Sequence, residues 1–256
     1  MSSNSTQRFS DRVKDYISYR PDYPETIINF LVKNCGLTSG SIIADIGSGT
    51  GKSSEMFLKN GNTVYGIEPN DEMRHAAESI LDNYQKFKSI KATAENTGLD
   101  DHSIDFVIAG QAFHWFDQSK TKKEFQRILK PAGYVILIWN ERPVNQSGFM
   151  GEYDEFLIQN SIDYAETDHR NIDEKALSAF YAPETFALQE FENQQIFDFD
   201  GLKGRYDSCS YAIPKDDTRY LKTVNKLHYL FDKYQQNGTV IMKYETKVYW
   251  GKFPSI

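Results

Sequence analysis

The sequence predicts an α/β fold, a mostly parallel sheet with helices on both faces. Three observations point there. From Ser41 onward short β-like runs alternate with helical stretches, a glycine-rich turn joins the first run to the first helix, and the chain closes on a cleanly alternating strand. Strands that alternate with helices pair in parallel, because the crossover between parallel neighbours needs a returning helix.

The strands are expected at Ser41–Ile46, Thr63–Ile67, Lys88–Lys91, Ile104–Ala109 and Tyr134–Trp139. Between them, a helix at Lys52–Asn60 runs into Gly61, a residue suited to the left-handed C-cap. A second, Asp71–Asn83, places acids in its first turn, where the helix dipole favours them. A third, Lys120–Leu129, stops at the turn Lys130-Pro131-Ala132-Gly133. Residues 145–190 are polar and weakly periodic, and are expected to form a helical insert after the fifth strand. Gln194–Phe199 reads as a strand. Tyr220, Val224, Leu227, Phe231 and Tyr234 recur at helical spacing ahead of Gly238. Val240, Met242, Tyr244, Thr246, Val248 and Trp250 then share one face of a last strand, with Lys243, Glu245 and Lys247 on the other.

Composition narrows the function. The 256 residues are 39% hydrophobic and 25% charged, as in ordinary globular domains. Twenty-nine basic against 36 acidic residues give a net charge of −7, which argues against nucleic acid as a partner. Cys35 and Cys209 stand far apart and form no metal-binding or disulfide pattern, so no metal is expected. No apolar run approaches the ~18 residues of a membrane span, and the polar Met1–Gln7 lacks a signal-peptide core. A cytoplasmic protein without a membrane partner, monomeric or homodimeric, is the expectation.

The most informative stretch is Asp45-Ile46-Gly47-Ser48-Gly49-Thr50-Gly51, placed where a strand meets a helix. Glycine there permits positive φ and lets a ligand lie against bare backbone beside the free N–H groups of the helix start. A phosphate-binding P-loop would need glycine where Ile46 stands, and a dinucleotide fingerprint would need it at Lys52. The remaining spacing is Asp-x-Gly-x-Gly-x-Gly. Glu68 follows Gly47 by twenty-one positions at the end of the second strand, where a carboxylate suits vicinal ribose hydroxyls. Each of these features sits at the C-terminal end of an expected parallel strand, the edge at which open α/β sheets bind ligands.

This pattern resembles the class I S-adenosylmethionine-dependent methyltransferases, and within them the small-molecule branch of trans-aconitate and quinone-biosynthesis enzymes. The resemblance extends over most of the chain. It implies a Rossmann-like seven-stranded sheet whose last strand is antiparallel, over residues 41–253, with the insert as a cap and residues 1–40 as a helical closing segment. It also implies S-adenosylmethionine as cofactor, S-adenosylhomocysteine as product, and a small-molecule methyl acceptor bearing a carboxylate or hydroxyl oxygen. Asp45, Gly47, Ser48, Gly49 and Gly51 would wrap the methionine part, Glu68 and Pro69 the ribose, and Met73, Ala94 and Glu95 the adenine. Gln111 and Ala112, in Gly110-Gln111-Ala112-Phe113-His114-Trp115, would run beside the cofactor. Arg20, in a Tyr-Arg-Pro segment similar to one of this branch, would pair with the cofactor's carboxylate. Tyr16, Tyr19, His114, Trp115, Trp139, Arg142 and Tyr211 are candidates for the acceptor pocket.

His114 is the candidate catalytic residue. Methyl transfer from a sulfonium needs alignment first, and a base only when the acceptor enters protonated. A histidine near its ordinary pKa of ~6.5 would serve phenols or amines and be superfluous for a carboxylate. Two other readings stand beside a small-molecule enzyme. One is a methyltransferase acting on nucleic acid or protein, against which the Asn/Asp-Pro-Pro-aromatic and Pro-Cys runs of base-methylating enzymes are absent. The other is a non-catalytic protein that binds the cofactor.

Overall fold

The computed structural model describes residues 17–143, 146–162, 164 and 174–253. Five parallel strands lead: β1 (Ile42–Ile46), β2 (Thr63–Ile67), β3 (Phe87–Ile90), β4 (Ile104–Gly110) and β5 (Leu129–Glu141). With β6 (Ala187–Phe197) and β7 (Val240–Lys252) they form one seven-stranded sheet of order β3-β2-β1-β4-β5-β7-β6. β7 runs antiparallel to both its neighbours, which is the reversal expected of the last strand. Between β1 and β4 the strand order switches direction, and a crevice opens there at the C-terminal edge.

Eight α-helices of eight residues or more surround the sheet among the described residues: α1 (Thr26–Cys35), α2 (Lys52–Lys59), α3 (Asp71–Ile80), α4 (Gln118–Ile128), α5 (Phe149–Gln159), α6 (Glu174–Tyr181), α7 (Phe199–Asp207) and α8 (Tyr220–Tyr234). Local chemistry sets several of their ends. Asn70, Asp117 and Asp198 each accept a backbone N–H of the first turn, capping α3, α4 and α7. Gly36 closes α1 in the left-handed conformation that costs glycine nothing.

Alternation along the central strands divides the core in two. Ile43, Phe106, Ile108, Ile136 and Val248 pack on one face with Leu31 of α1 and Phe57 of α2. Ala44, Val107, Val135, Leu137 and Trp139 pack on the other with Phe125 of α4 and Phe180 of α6. A third cluster lies off the sheet. It joins α5, α7 and α8 through Tyr153, Leu157, Leu202, Tyr206, Leu227 and Phe231, and rests on Phe197, Met242 and Tyr244.

The register explains where this cap stands. The last β5–β7 pair is Glu141 with Glu245, so Val240–Tyr244 pairs with β6 alone. A two-stranded ribbon thus projects past the end of β5 and carries the cap over the C-terminal edge.

Three elements differ from expectation. The expected strand at 194–199 is an eleven-residue strand ending at Phe197, and Phe199 opens α7. β6 is an edge strand with mostly polar, exposed side chains, so alternation of apolar residues does not mark its length. Asp198 ends it by capping the helix. The expected insert at 145–190 holds α5 and α6 and runs into the first residues of β6, while the cap core draws as much on α7 and α8. In β5, pairing jumps from Leu129 opposite Ile104 to Tyr134 opposite Phe106, so the Lys-Pro-Ala-Gly turn is a loop within the strand, with Ala132 at φ 64°. No described helix is long and apolar enough to cross a membrane.

Gly251 of β7 is a close-packing point. A Cβ there would lie 2.5 Å from the Thr185 carbonyl oxygen and 3.2 Å from the Phe186 Cα, both backbone atoms that cannot rotate away. Gly251→Ala is expected to lower stability by about 1–3 kcal/mol, measured by denaturant unfolding.

Candidate active site

The glycine loop follows β1 and turns back on itself against β2. Gly47 and Ser48 donate to the Ile67 carbonyl at 2.8 and 3.2 Å, and Gly51 donates to Ser48 at 2.9 Å. Gly47, Gly49 and Gly51 all have positive φ. Two of them also answer a steric demand. A Cβ on Gly47 would meet the Ala112 methyl at 2.6 Å, and one on Gly51 the Leu81 methyl at 2.6 Å. Around Gly49 a Cβ would meet nothing within 4 Å, so this peptide borders open space that a ligand can fill.

Asp45 lies behind the loop. Its Oδ2 accepts from Ser53 and Ser54 at 2.7 and 2.6 Å, which pins the first turn of α2 to the end of β1. Fully buried, with Oδ1 unpartnered, it has a carboxyl pushed up by desolvation to about 6. The cofactor contact expected of Asp45 is therefore corrected to a supporting role, since the residue shapes the loop from below. Glu68 does face the loop. Its Oε2 accepts from Gly49 N at 2.9 Å and its Oε1 from Asn70 N at 2.8 Å. Burial raises its pKa as well. Each oxygen retains a second lone pair, so the residue has the acceptors that two ribose hydroxyls require.

Farther along the same edge, Pro69 leads into α3, whose first turn holds the buried Met73. Ala94 is buried in the core cluster that also holds Ala112. Glu95 has one oxygen occupied by the Asp117 N–H at 3.0 Å. Gln111 stands at φ 57°, an uncommon conformation for a non-glycine residue, and donates through Nε2 to the Asn140 carbonyl at 3.1 Å. Loop, Glu68 and Gln111 together fit the expected cofactor: open backbone for its amino-acid end and a carboxylate for its sugar.

A cleft of about 860 Å³, counted to its open mouth, continues from the loop under the cap. Its floor is Gly47–Thr50, Gly110 and Gln111, and its far wall carries Arg20, Arg142, Arg205, Tyr164 and Tyr211. No Asp or Glu lines it among the described residues. Arg142 donates to Asp154 at 3.2 Å and to the Tyr164 hydroxyl at 2.6 Å. Arg205 is 3% exposed and donates to Tyr244 Oη at 3.1 Å, Ser208 Oγ at 3.4 Å and Cys209 Sγ at 2.9 Å, with no carboxylate in ion-pair range among the described residues.

A strap, Tyr19–Tyr23, closes one side. Asn193 and Asn140 donate to the Asp22 carbonyl at 2.8 and 3.3 Å, Gln195 donates to the Tyr19 carbonyl at 3.2 Å, and Arg20 donates to the Ser208 carbonyl at 3.1 Å. Lys52, at the start of α2, pairs with the Asp22 carboxylate at 2.6 Å.

Of the residues expected around the acceptor, Arg142 and Tyr211 line the cleft. Trp139 does not. It is buried under Phe113 and Tyr249, because its parity along β5 matches that of Leu137 on the core side. Trp115 packs on the edge of that same core and touches His114, ring to ring at 4.8 Å. Tyr19 lies against α7 at Gly204, where a Cβ would meet its ring at 2.1 Å, and contributes its carbonyl to the strap. Tyr16 falls outside the described residues. His114 departs from its ordinary pKa: burial first, then the Arg20 cation, push it down to about 4. It is a neutral imidazole at pH 7.

Arg205, Tyr164 and Tyr23 line the cleft beyond the set expected from sequence, and Asn140, at the end of the fifth strand beside Arg142, lines it as well. Arg205 sits on α7, a helix with two glycines in nine residues that carries little periodic signal. Its one available sign was the Asp198 cap three residues ahead of Gly201.

Residues 44–137 match the family model of the methyltransferase domain. An uncharacterized methyltransferase of Mycobacterium tuberculosis is 32% identical over 149 residues, 58% of this chain and 58% of that protein. Another, of Schizosaccharomyces pombe, is 32% identical over 138 residues, 52% of this chain and 53% of the relative. The chain thus spans little more than half the length of these curated relatives. Among solved structures, a candidate type II methyltransferase from Anaeromyxobacter dehalogenans superposes with a TM-score of 0.69 at 17% identity, over 93% of this chain and 100% of the other. A candidate methyltransferase from an antibiotic biosynthesis pathway of Anabaena variabilis gives 0.64 at 22%, over 91% and 98%. At these identities the likeness is one of fold.

The position of Asp45 has a consequence for stability. Its pKa is higher folded than unfolded, so the native state is favoured most below pH ~4 and loses that advantage as pH rises through about 6. Asp45→Asn keeps an acceptor for the two serines and has no charge to bury. It is expected to be more stable than the native chain above pH 7, by on the order of 1–3 kcal/mol, with the difference vanishing near pH 4. Thermal melts across pH measure this, and a variant less stable at pH 8 would contradict it.

Proposed function

We propose that this chain, which carries a class I S-adenosylmethionine-dependent methyltransferase domain at residues 44–137, is an enzyme that methylates a carboxylate oxygen of a small acidic molecule. One observation carries the reading. The cleft that begins at the cofactor loop has arginines from three separate elements on its far wall and no carboxylate among its described lining residues.

Glu68, the open backbone at Gly49 and Gln111 would hold the cofactor, and Arg20 of the strap would take its carboxylate. When bound, S-adenosylmethionine supplies a methyl group on a sulfonium whose departure leaves neutral S-adenosylhomocysteine. Arg142 and Arg205 remain for the acceptor. A guanidinium presents paired donors that match a carboxylate, and it stays charged throughout the physiological range. Tyr164 and Tyr211 add the apolar sides and the polar tips that fix orientation in such sites.

The state of His114 supports an acceptor that arrives ionised. With its pKa near 4, the imidazole is a weak base for an alcohol or amine. A carboxylate, ionised at neutral pH, brings its own lone pair and needs no proton removed. Alignment is then the protein's main contribution, and the strap, the cap and the two arginines provide it.

The test is incubation of the full chain with methyl-tritiated S-adenosylmethionine and a panel of small carboxylic acids, phenols and amines. Label transferred to an acid and released as methanol by mild alkali is the expected result. His114→Asn is expected to keep that activity within ~fivefold, where loss of a true general base would cost ~100-fold or more. Alkali-stable label on phenols or amines, with all acids inert, would overturn the assignment.

A further inference from the structure

Arg205 is buried in the cleft wall, yet the rest of its surroundings do not explain why it is held so carefully. Its Nε donates to Tyr244 Oη at 3.1 Å, and its Nη2 makes no hydrogen bond to a described residue. Tyr244, 3% exposed on the projecting part of β7, therefore spends a lone pair on the guanidinium. Its single hydroxyl hydrogen has two acceptors in reach, Gln195 Oε1 and Met242 Sδ, both at 2.9 Å. The amide oxygen is much the stronger of the two.

Once Gln195 Oε1 faces Tyr244, its amide group is oriented and Nε2 points the other way. There it donates to the Tyr19 carbonyl at 3.2 Å, next in the chain to Arg20. A directional series of donors thus runs from the Arg205 guanidinium through β7 and β6 to the strap. The return contact is short: Arg20 donates to the carbonyl of Ser208, whose hydroxyl accepts from Arg205. The bonds from Asn140, Asn193 and Lys52 hold the strap at Asp22 and do not pass through Arg205.

We propose that Tyr244 and Gln195 are positioning residues that couple an anion bound at Arg205 to the strap carrying Arg20, so that acidic acceptor and cofactor bind with positive cooperativity. The inference rests on the function proposed above. Its physical basis is the alignment of the series. An anion on Nη2 fixes the guanidinium, the fixed Nε–H holds the tyrosine hydroxyl toward Gln195, and the amide then keeps its donor on the strap. Hydrogen bonds in such a chain polarise and strengthen one another. Coupling of two binding sites is reciprocal, so the effect can be read from either ligand.

The experiment titrates S-adenosylhomocysteine into the full chain by calorimetry, with and without malonate as the dicarboxylate probe. In the native chain malonate is expected to tighten S-adenosylhomocysteine binding at least ~fivefold. Gln195→Met, which keeps the length of the side chain on an edge strand but removes both its donor and its acceptor, is expected to bring that factor close to one. Its affinity for S-adenosylhomocysteine alone should change little. Tyr244→Phe is the second variant and should behave alike, with thermal melts of both showing the fold retained. An unchanged factor in Gln195→Met, or no malonate effect in the native chain, overturns the coupling while leaving the proposed function in place. Failure of the native chain to bind S-adenosylhomocysteine at all overturns the function itself, and the coupling with it.

Discussion

A guanidinium taken out of water without a carboxylate partner costs several kcal/mol, and a fold keeps such a group where something else compensates it. Arg205, with no carboxylate in ion-pair range among the described residues, is that group here, and much of the architecture beyond the sheet serves to hold it. The β6–β7 ribbon extends past β5 to bring Tyr244 beneath it. The cap core of Tyr153, Leu202, Tyr206 and Phe231 anchors the helix that bears it. The strap then lays Arg20 along the same wall. A cavity built this way is prepared for negative charge before any ligand arrives, which is how a site avoids reorganising during reaction.

The sheet and the cap divide the work. The parallel strands supply a rigid edge where the glycine loop, Glu68 and Gln111 face one crevice, with no contribution from the cap. That half depends on local constraints: the Gly47–Ala112 approach, the Gly51–Leu81 approach and the Asp45 anchor under α2. The cap half depends on long-range ones. Asn193 and Gln195 of β6 reach back more than 170 positions to the strap, and Asn140 links strap, β5 and β7 at one point by also accepting from Thr246. The two halves thus rest on different constraints, and they meet at the strap, where Arg20 and Tyr19 bond to Ser208 and Gln195.

What could be read in the sequence follows the same division. The loop, the acid at Glu68 and the strands themselves are legible because glycine spacing and apolar patterning are local signals, whereas the reversal of β7 follows from the family resemblance alone. Arg142 is legible as a residue beside an expected strand end, and Arg20 through the resemblance of its Tyr-Arg-Pro segment. Arg205 is not, because α7 carries two glycines and its place is set by a ribbon whose register the polar strand β6 does not advertise. Trp139 misleads for a related reason: β5 is apolar on both faces, so no alternation tells which way the indole points. The low pKa of His114 is not legible, because it comes from burial and from Arg20, which only the folded strap brings near.

The positive field of this cavity has an internal reporter. Cys209 sits against Arg205; burial by itself would raise its thiol, yet Arg205, Arg20 and Arg142, with a hydrogen bond to Tyr211, bring it down to about 7. Cys35, the other thiol, is pushed up to about 12 by burial and stays silent near neutrality. Thiolate absorbance followed against pH, in the native chain and in Arg205→Met, reads the field directly. A single midpoint near pH 7 that moves above 9 in the variant is the predicted result. A native midpoint already at or above 9 would mean that the arginines do not set the potential of the cavity, and would contradict the account.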